Sequence, residues 1–434
     1  MCIKEKSTIM KIIIVGAGFA GLKLARALNN KKGISIILLD KNNFHQFQPL
    51  FYQVATAGLD ASNISFPLRK VFQKSKNVEV RLGEVKDIIA EKNEINTSIG
   101  TFSYDLLVLA TGANTNFFGN AQLEKWAFPM KTTIEALDIK YKLLQNLENA
   151  IAETNAETLQ ALLSVVVVGG GATGVEVSGA LAEMKRHIFP KDYPTIDFSN
   201  MKIYLLEGGN KTLASMSEKS SEESQQYLEK LGVIVKTNTV VADYDGQTVQ
   251  LKDGTTIASK TVIWAAGIKG NIPKGIEEEN IARGKRIKVD TTNKMIGSNN
   301  IYVMGDLAYM QTKKYPNGHP QVANVAINQA TNLALNIERI LNGNKHFLNE
   351  FEYNDKGSMA TVGRNLAVVD IPSPKIHLGG FFAWLIWMGL HLVLILGVKN
   401  RVQIFINWIY KYFTRDQSLR LLFNWNKKAL EVKG

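Results

Sequence analysis

The feature that most restricts what this chain can fold into is a repeat. Residues 11–28 read KIIIVGAGFAGLKLARAL and residues 165–183 read VVVVGGGATGVEVSGALAE. Each is an apolar strand, a glycine-rich turn and a helix-forming stretch, in that order. In the first, the strand Lys11 to Val15 runs into Gly16, Gly18 and Gly21, which fit the spacing G-x-G-x-x-G. The first glycine permits the tight turn, the second lets the backbone approach a pyrophosphate, and the third lets helix and strand pack closely. The helix N-terminus then offers free amide groups and a favourable dipole to phosphate. Gly169, Gly171 and Gly174 repeat the arrangement in the second. Two dinucleotide sites are therefore expected in one chain.

Each loop is followed by a strand with an acidic end: ISIILLD closes on Asp40 and MKIYLLE on Glu207. A carboxylate there accepts hydrogen bonds from ribose hydroxyls. Glu207 would also repel a 2′-phosphate, which favours NADH over NADPH at the second site. Three further apolar strands end in small-residue turns. YDLLVLATGA (104–113) supplies Thr111 and Gly112, TVIWAAGI (261–268) supplies Gly267, and NIYVMGDLA (300–308) supplies Gly305 and Asp306. Their order suggests one nucleotide fold interrupted by another and then resumed. Asp306 would return to hold a ribityl or pyrophosphate group of the first nucleotide. The expected class is α/β, with two Rossmann-like dinucleotide-binding domains, the second inserted in the first. A C-terminal domain ending in membrane-binding amphipathic helices would follow. The expected segments are 10–120 and 271–345 for the first domain, 121–270 for the second and 346–434 for the last.

The single cysteine, Cys2, narrows the chemistry. It cannot form a disulfide within the chain, which suits a reducing compartment and argues against a redox dithiol. The stretch ahead of the first strand has no separate apolar core and no small-residue cleavage site, so no secretory signal is expected. The six histidines are scattered without ligand spacing, and no metal site is expected. Charge is basic, with 51 Lys and Arg against 39 Asp and Glu, a formal +12. From Lys399 onward there are eight basic residues and two acidic ones, so +6, half the excess, lies in a short tail. Such a surface suits anionic membranes or nucleic acid. The apolar character of the tail points to membrane, and no nucleic-acid partner is expected.

The layout over roughly residues 10–340 resembles the flavoprotein oxidoreductases with two dinucleotide-binding domains, in which the first site holds FAD and the second NAD(P)H. The disulfide, thioredoxin and sulfide:quinone reductases of that superfamily work through redox-active cysteines and do not fit a chain whose one cysteine is Cys2. Type II NADH:quinone oxidoreductases, ferredoxin and rubredoxin reductases and the apoptosis-inducing-factor-like flavoproteins remain. Longer stretches select the first of these. FHQFQPLFYQVATAGLD (44–60), VGGGATGVEVSGALAE with Ala172 where proline is common, and DKGSMATVGRNLAVVD (355–370) resemble runs of that family. So does the tail from Gly380 to Leu422, with Trp387, His391, Asn400 and Arg401.

The resemblance implies a non-covalent FAD held at Gly16, Gly18, Gly21 and Asp40, with Gln53, Thr111, Gly112, Gly305 and Asp306. It implies NADH at Gly169, Gly171, Gly174, Glu176, Glu207 and Gly267. Two catalytic roles follow from it. Glu176 would lie near nicotinamide and flavin and accept or relay a proton. Lys356 would lie near the flavin's polar edge, where a cation stabilises the reduced, anionic form. Quinone contacts are implied at Ala323, Asn324, Ile327 and Asn328, in a helix that in the family usually reads A-Q-x-A-x-Q-Q. Here Asn324 and Asn328 stand for glutamines, each one methylene shorter, which shifts the expected head-group contacts. The implied activity is transfer of two electrons from NADH to a membrane quinone without proton pumping, at the cytoplasmic face of a bacterial inner membrane. A homodimer is compatible with it.

The tail has two parts. GGFFAWLIWMGLHLVLILGV (379–398) has no formal charge with His391 neutral, and its length is about that needed to span a bilayer. After it, Lys399, Gln403, Asn407, Lys411 and Arg415 recur every fourth residue among apolar and aromatic ones. On a helix that makes a narrow polar stripe, the pattern of a helix lying in the interface. A spanning helix would carry the basic tail across, against the positive-inside tendency. A monotopic pair is therefore expected, touching an anionic membrane surface through residues 379–425. His391 reads as a hydrogen-bonded packing residue. Two other functions stay open. An NADH-dependent reductase of a small iron–sulfur protein would not need the apolar tail. A flavoprotein NADH sensor or interaction module would oxidise NADH only slowly with any quinone.

Overall fold

Each glycine loop leaves a strand that is apolar on both sides, and such a strand needs cover on both faces. The computed structural model describes residues 9–344 and 346–423. Cys2 and the last tail lysines, Lys427, Lys428 and Lys433, lie outside that range. The strand before the first loop, Met10–Val15, is the middle of a parallel sheet ordered Ile301–Val303, Leu106–Leu109, Met10–Val15, Ile34–Asp40, Val78–Leu82. The strand before the second loop, Ser164–Val168, is the middle of a sheet ordered Phe128–Pro129, Thr261–Trp264, Ser164–Val168, Lys202–Leu206, Val233–Lys236. In both, the second sheet strand after the loop strand leads into a three-stranded antiparallel meander, within 85–103 and 241–258, before the chain returns to the sheet. The repeat seen in the two loops thus extends to whole sheets.

Two compact units result. Among the described residues, one comprises 9–45, 66–114 and 268–354, the other 46–65, 115–267 and 355–423. The chain leaves the first unit and returns to it after Gly267. Residues 46–65, read above as part of the first nucleotide fold, belong to the second unit. So do residues 355–423, which fall in the segment 346–434 expected as a domain of its own.

In the first unit, the first-loop helix, Phe19–Ala27, packs against the helix Ala323–Leu341. The latter buries Val325, Ala326, Ala330, Leu333 and Ile337, the three-to-four spacing of a helix with one apolar face. In the second unit, the second-loop helix, Ala172–His187, lies against an antiparallel sheet of Ser358–Gly363, Leu366–Ile371 and Ile376–Gly379. Their approach is close enough that a Cβ on Gly179 would strike the Val362 carbonyl. The same helix also touches the short helix Phe51–Ala55.

The third strand of that sheet runs directly into the first tail helix, Gly380–Leu394, followed by the second tail helix, Val398–Thr414. No helix among the described residues is long and apolar enough to cross a membrane. The run 379–398 yields a 15-residue helix, and Gly397, at φ +87°, turns the chain after it.

The polar stripe of the second tail helix is oriented opposite to the sequence reading. Asn400 is buried, and its Nδ2 donates to the carbonyls of Ser62 and Asn63 at 3.0 and 2.8 Å. Gln403 and Asn407 meet the Asn63 side chain at 3.4 and 3.2 Å, and Lys411 pairs with Glu183 at 3.4 Å. Ile404 and Trp408 are buried on the same side. The face left open is apolar: Val402, Phe405, Ile406 and Phe413, with Phe382 and Val393 from the first tail helix. Of the stripe, Lys399 and Arg415 are exposed. The reason is partner availability. Asn63 and Glu183 lie on the protein side, so the amides and the ammonium group turn inward.

Candidate active site

The two loops have the same geometry. Gly16 and Gly169 sit at φ +97° and +108°. These are left-handed values that favour glycine, and a Cβ at either would strike the backbone of Ala110 or Ala265. Gly21 and Gly174 pack onto the carbonyls of Gly16 and Gly169 with no room for a side chain, whereas Gly18 and Gly171 face open space. Gly18 and Gly171 cap the two loop helices, and neither helix has a side-chain cap or an acidic residue in its first turn. Their first-turn N–H groups are left for an anion.

The strand-end acids brace these loops. Asp40 accepts from the Ala17 and Asn42 N–H groups at 2.6 and 2.7 Å, and Glu207 from those of Gly170 and Gly209 at 2.5 and 2.6 Å. Burial raises the Asp40 carboxyl against the pull of its two bonds. Elsewhere in the first unit, Gly112 and Gly305 both sit at φ +69°. The Thr111 hydroxyl donates to the Asn271 carbonyl at 2.6 Å, and the Asn271 N–H donates to the Gly112 carbonyl at 3.0 Å. The Gly305 N–H donates to Gln329 at 2.8 Å, and Gln321 donates to the Asp306 carbonyl at 2.8 Å. Gln329, on the helix, and Gln321, just ahead of it, are not among the residues expected from the sequence, because an amide side chain carries no local mark of what it reaches. In the second unit Gly267 turns at φ +74°. Open, glycine-lined amides at a helix start fit a diphosphate in each unit, so the first unit can hold FAD and the second NADH.

The second unit also holds an open-mouthed cavity of about 420 Å³, lined among others by Tyr52, Gln53, Glu176, Thr361, Trp387 and Trp408. Glu176, in the second-loop helix, is buried. Its carboxylate receives one long bond from the Thr361 N–H at 3.4 Å. The indole N–H of Trp387 points toward it without closing a full hydrogen bond. Burial with so little compensation pushes the carboxyl up to about 8. At neutral pH it is chiefly a neutral acid, able to donate a proton. Burial and the neighbouring Glu176 hold the Tyr52 phenol well above its ordinary range. His391 is also buried, which pushes it down to about 4. Its neutral ring donates from Nδ1 to the Trp387 carbonyl at 2.8 Å and stacks on the Trp387 indole at 4.0 Å, as a packing residue does.

Other candidates fall elsewhere. Gln53 lies in this cavity, bonded to Tyr52 and Trp408, rather than in the unit of the first loop. Lys356 is exposed ahead of the strand Ser358–Gly363 and does not line the cavity. Ala323, Asn324, Ile327 and Asn328 begin the helix Ala323–Leu341 of the first unit. Asn324 is exposed and the other three are half-buried. Tyr52, Trp387 and Trp408 were not singled out as site residues in the sequence, because what brings them together is long-range packing.

Comparison with known proteins fits this geometry. Residues 10–330 match the pyridine nucleotide-disulphide oxidoreductase family, and residues 356–416 match the NDH2 C-terminal domain. A type II NADH:quinone oxidoreductase of Mycobacterium tuberculosis is 34% identical over 93% of this chain and 87% of its own length. One of Staphylococcus aureus is 30% identical over 81% of this chain and 87% of its own. Among solved structures, NDH2 from Plasmodium falciparum in complex with NADH superposes with a TM-score of 0.87 at 24% identity, covering 94% of this chain and 99% of that one. This last likeness speaks for the fold.

Proposed function

The chain belongs to the type II NADH:quinone oxidoreductase family, and we propose that it passes two electrons from NADH through a non-covalent FAD to a membrane quinone without moving protons across the membrane. When bound, FAD supplies the two-electron relay between a hydride donor and a quinone, which no side chain here can perform. The first loop holds its diphosphate on the open amides at Gly18 and the helix start, while Asp40 keeps the loop in shape and faces the ribose. The second loop does the same for NADH, with Glu207 set against a 2′-phosphate. Gly112, Gly305 and Asp306 complete the FAD cradle, and Gly267 that of NADH.

The observation that carries the quinone assignment is the second unit's cavity. It places a neutral acid, Glu176, beside two helices whose other faces are apolar and exposed. A lipid-dissolved quinone needs a route from the bilayer to a proton source. Of the two protons taken up with two electrons, Glu176 gives one and is reprotonated from water. Ala323, Asn324, Ile327 and Asn328 do not line this cavity, and the head-group role expected of them rests on the resemblance alone. Lys356 is exposed outside the cavity, and its role at the flavin likewise rests on the resemblance alone. Val398 and Phe413 are 74% and 78% exposed, and an apolar surface of this kind marks an interaction site. We assign it to the membrane interface on the cytoplasmic side, where NADH is.

The test is acceptor choice. The FAD-loaded protein should oxidise NADH rapidly with a short-chain quinone and hardly at all with an iron–sulfur protein. The opposite ranking would favour the iron–sulfur reductase, and slow turnover with both would favour a sensor.

A further inference from the structure

Three side chains at the cavity form a hydrogen-bonded chain with only one possible direction. Trp408 of the second tail helix donates its indole N–H to Gln53 Oε1 at 2.8 Å. An indole N–H accepts nothing, so the Gln53 amide cannot be reversed. Its Nε2 then donates to the Tyr52 hydroxyl at 2.8 Å. An amide nitrogen accepts nothing either, so the phenol oxygen must accept and must turn its own hydrogen elsewhere. Among the described residues no hydrogen bond takes that hydrogen, and Tyr52 lines the cavity together with Glu176.

Packing fixes the parts. The Tyr52 ring meets the Trp387 indole edge-on at 6.3 Å, and Trp387 meets Trp408 at 5.8 Å. Trp408 follows Asn400 by two helical turns on the inward face, and Asn400 is bonded to the backbone of Ser62 and Asn63. Trp387 and Trp408, one from each tail helix, thus point their N–H groups toward Glu176 and toward the relay to Tyr52.

We propose that Tyr52 donates a hydrogen bond to a carbonyl oxygen of the quinone, and that Trp408, acting through Gln53, is the positioning residue that makes the phenol a donor. The proposal rests on the reading that the quinone occupies this cavity. Tyr52 keeps its proton throughout. Its bond strengthens as negative charge grows on the quinone oxygen, so it acts more on the transition state than on binding. The donor is therefore set by a helix whose outer face is assigned to the membrane.

Holoenzyme carrying Tyr52→Phe, Trp408→Phe or both tests this. Tyr52→Phe should lower kcat/KM for quinone about tenfold, the scale of one lost hydrogen bond, with the loss chiefly in kcat. Reduction of the bound flavin by NADH should keep its wild-type rate. Trp408→Phe should act in the same direction, and the double variant should lose no more than Tyr52→Phe alone. Ferricyanide, an acceptor with no carbonyl, should be reduced normally by all three, whereas damage to the fold would slow it too. Wild-type quinone kinetics in Tyr52→Phe, or losses that multiply in the double variant, would overturn the proposal. Photolabelling the wild-type enzyme with an azidoquinone separates the two readings. Label on residues 384–388 or 408–412 supports the cavity, so an unaffected Tyr52→Phe would then sink only the donor role. Label confined to segments outside the cavity would sink the quinone seat itself.

Discussion

Asp40 and Glu207 hold equivalent places, each carboxylate accepting two backbone N–H groups at its own loop. Glu207→Gln replaces one acceptor oxygen by a donor that faces an N–H. Each charge-assisted bond is worth roughly 1.5–3 kcal/mol, so the variant should melt at a lower temperature. It should also narrow the preference for NADH over NADPH. An unchanged ratio of kcat/KM values would leave Glu207 only its bracing role. Glu176 makes a claim about pH. Its folded value of about 8 lies above the ordinary 4.5. The folded chain therefore keeps a proton that the unfolded chain releases between those values. Stability from this group is full below the lower value and falls as pH rises through the window. Glu176→Gln should gain stability over the wild type by a margin that grows across that window. Melting curves at about pH 5, 7 and 9 would check this, and a constant margin would mean an ionised carboxyl in the fold. The loops were legible because their glycines act on neighbours in sequence. The chemistry of Glu176 was not, since Thr361 lies 185 residues away.

The second tail helix shows what periodicity can and cannot say. A stripe every fourth residue reveals two faces, but not which one meets protein. In a helix with water on one side the polar face is outward. Here Asn63 and Glu183 supply polar partners on the protein side, and the apolar side is left open. Asn400→Ala should therefore act on the fold. It leaves the buried Asn63 carbonyl, and that of the exposed Ser62, without their donor, at about 1–3 kcal/mol, and loosens Trp408 with it. Protease digestion should cut earlier within 398–414 in that variant. Unchanged digestion would mean that Ile404 and Trp408 hold the helix by packing alone. The same packing makes the tail integral to its unit. Ala383 is buried against Ala367 and Val369, so removing residues from 379 onward would strip a core as well as an anchor. Exposed positions give the cleaner test. Replacing Phe382, Val393, Val398 and Phe413 by serine should release the protein from membranes while sparing turnover with a short-chain quinone. Persistent membrane binding would place the anchor elsewhere.

At the scale of the molecule, two sheets that share a four-strand order carry two loops, and the second unit adds a cavity and two helices with an apolar outer face. That one nucleotide fold is interrupted by the other was readable from glycine-ended apolar runs, because each run joins a strand and a turn that are neighbours in sequence. The boundaries of the units were not. Residues 46–65 pack on elements more than a hundred residues later, and no local pattern marks that. The central claim is a sequence of electron transfers, and it can be followed by the colour of the bound flavin. Anaerobic mixing of the FAD-loaded protein with one equivalent of NADH should bleach the flavin, and a second mixing with a short-chain quinone should restore it within the turnover time. In Glu176→Gln the second step should slow and lose its pH dependence near 8, the value at which burial holds this carboxyl. A flavin that NADH bleaches but quinone does not restore, while an iron–sulfur protein does, would contradict the account.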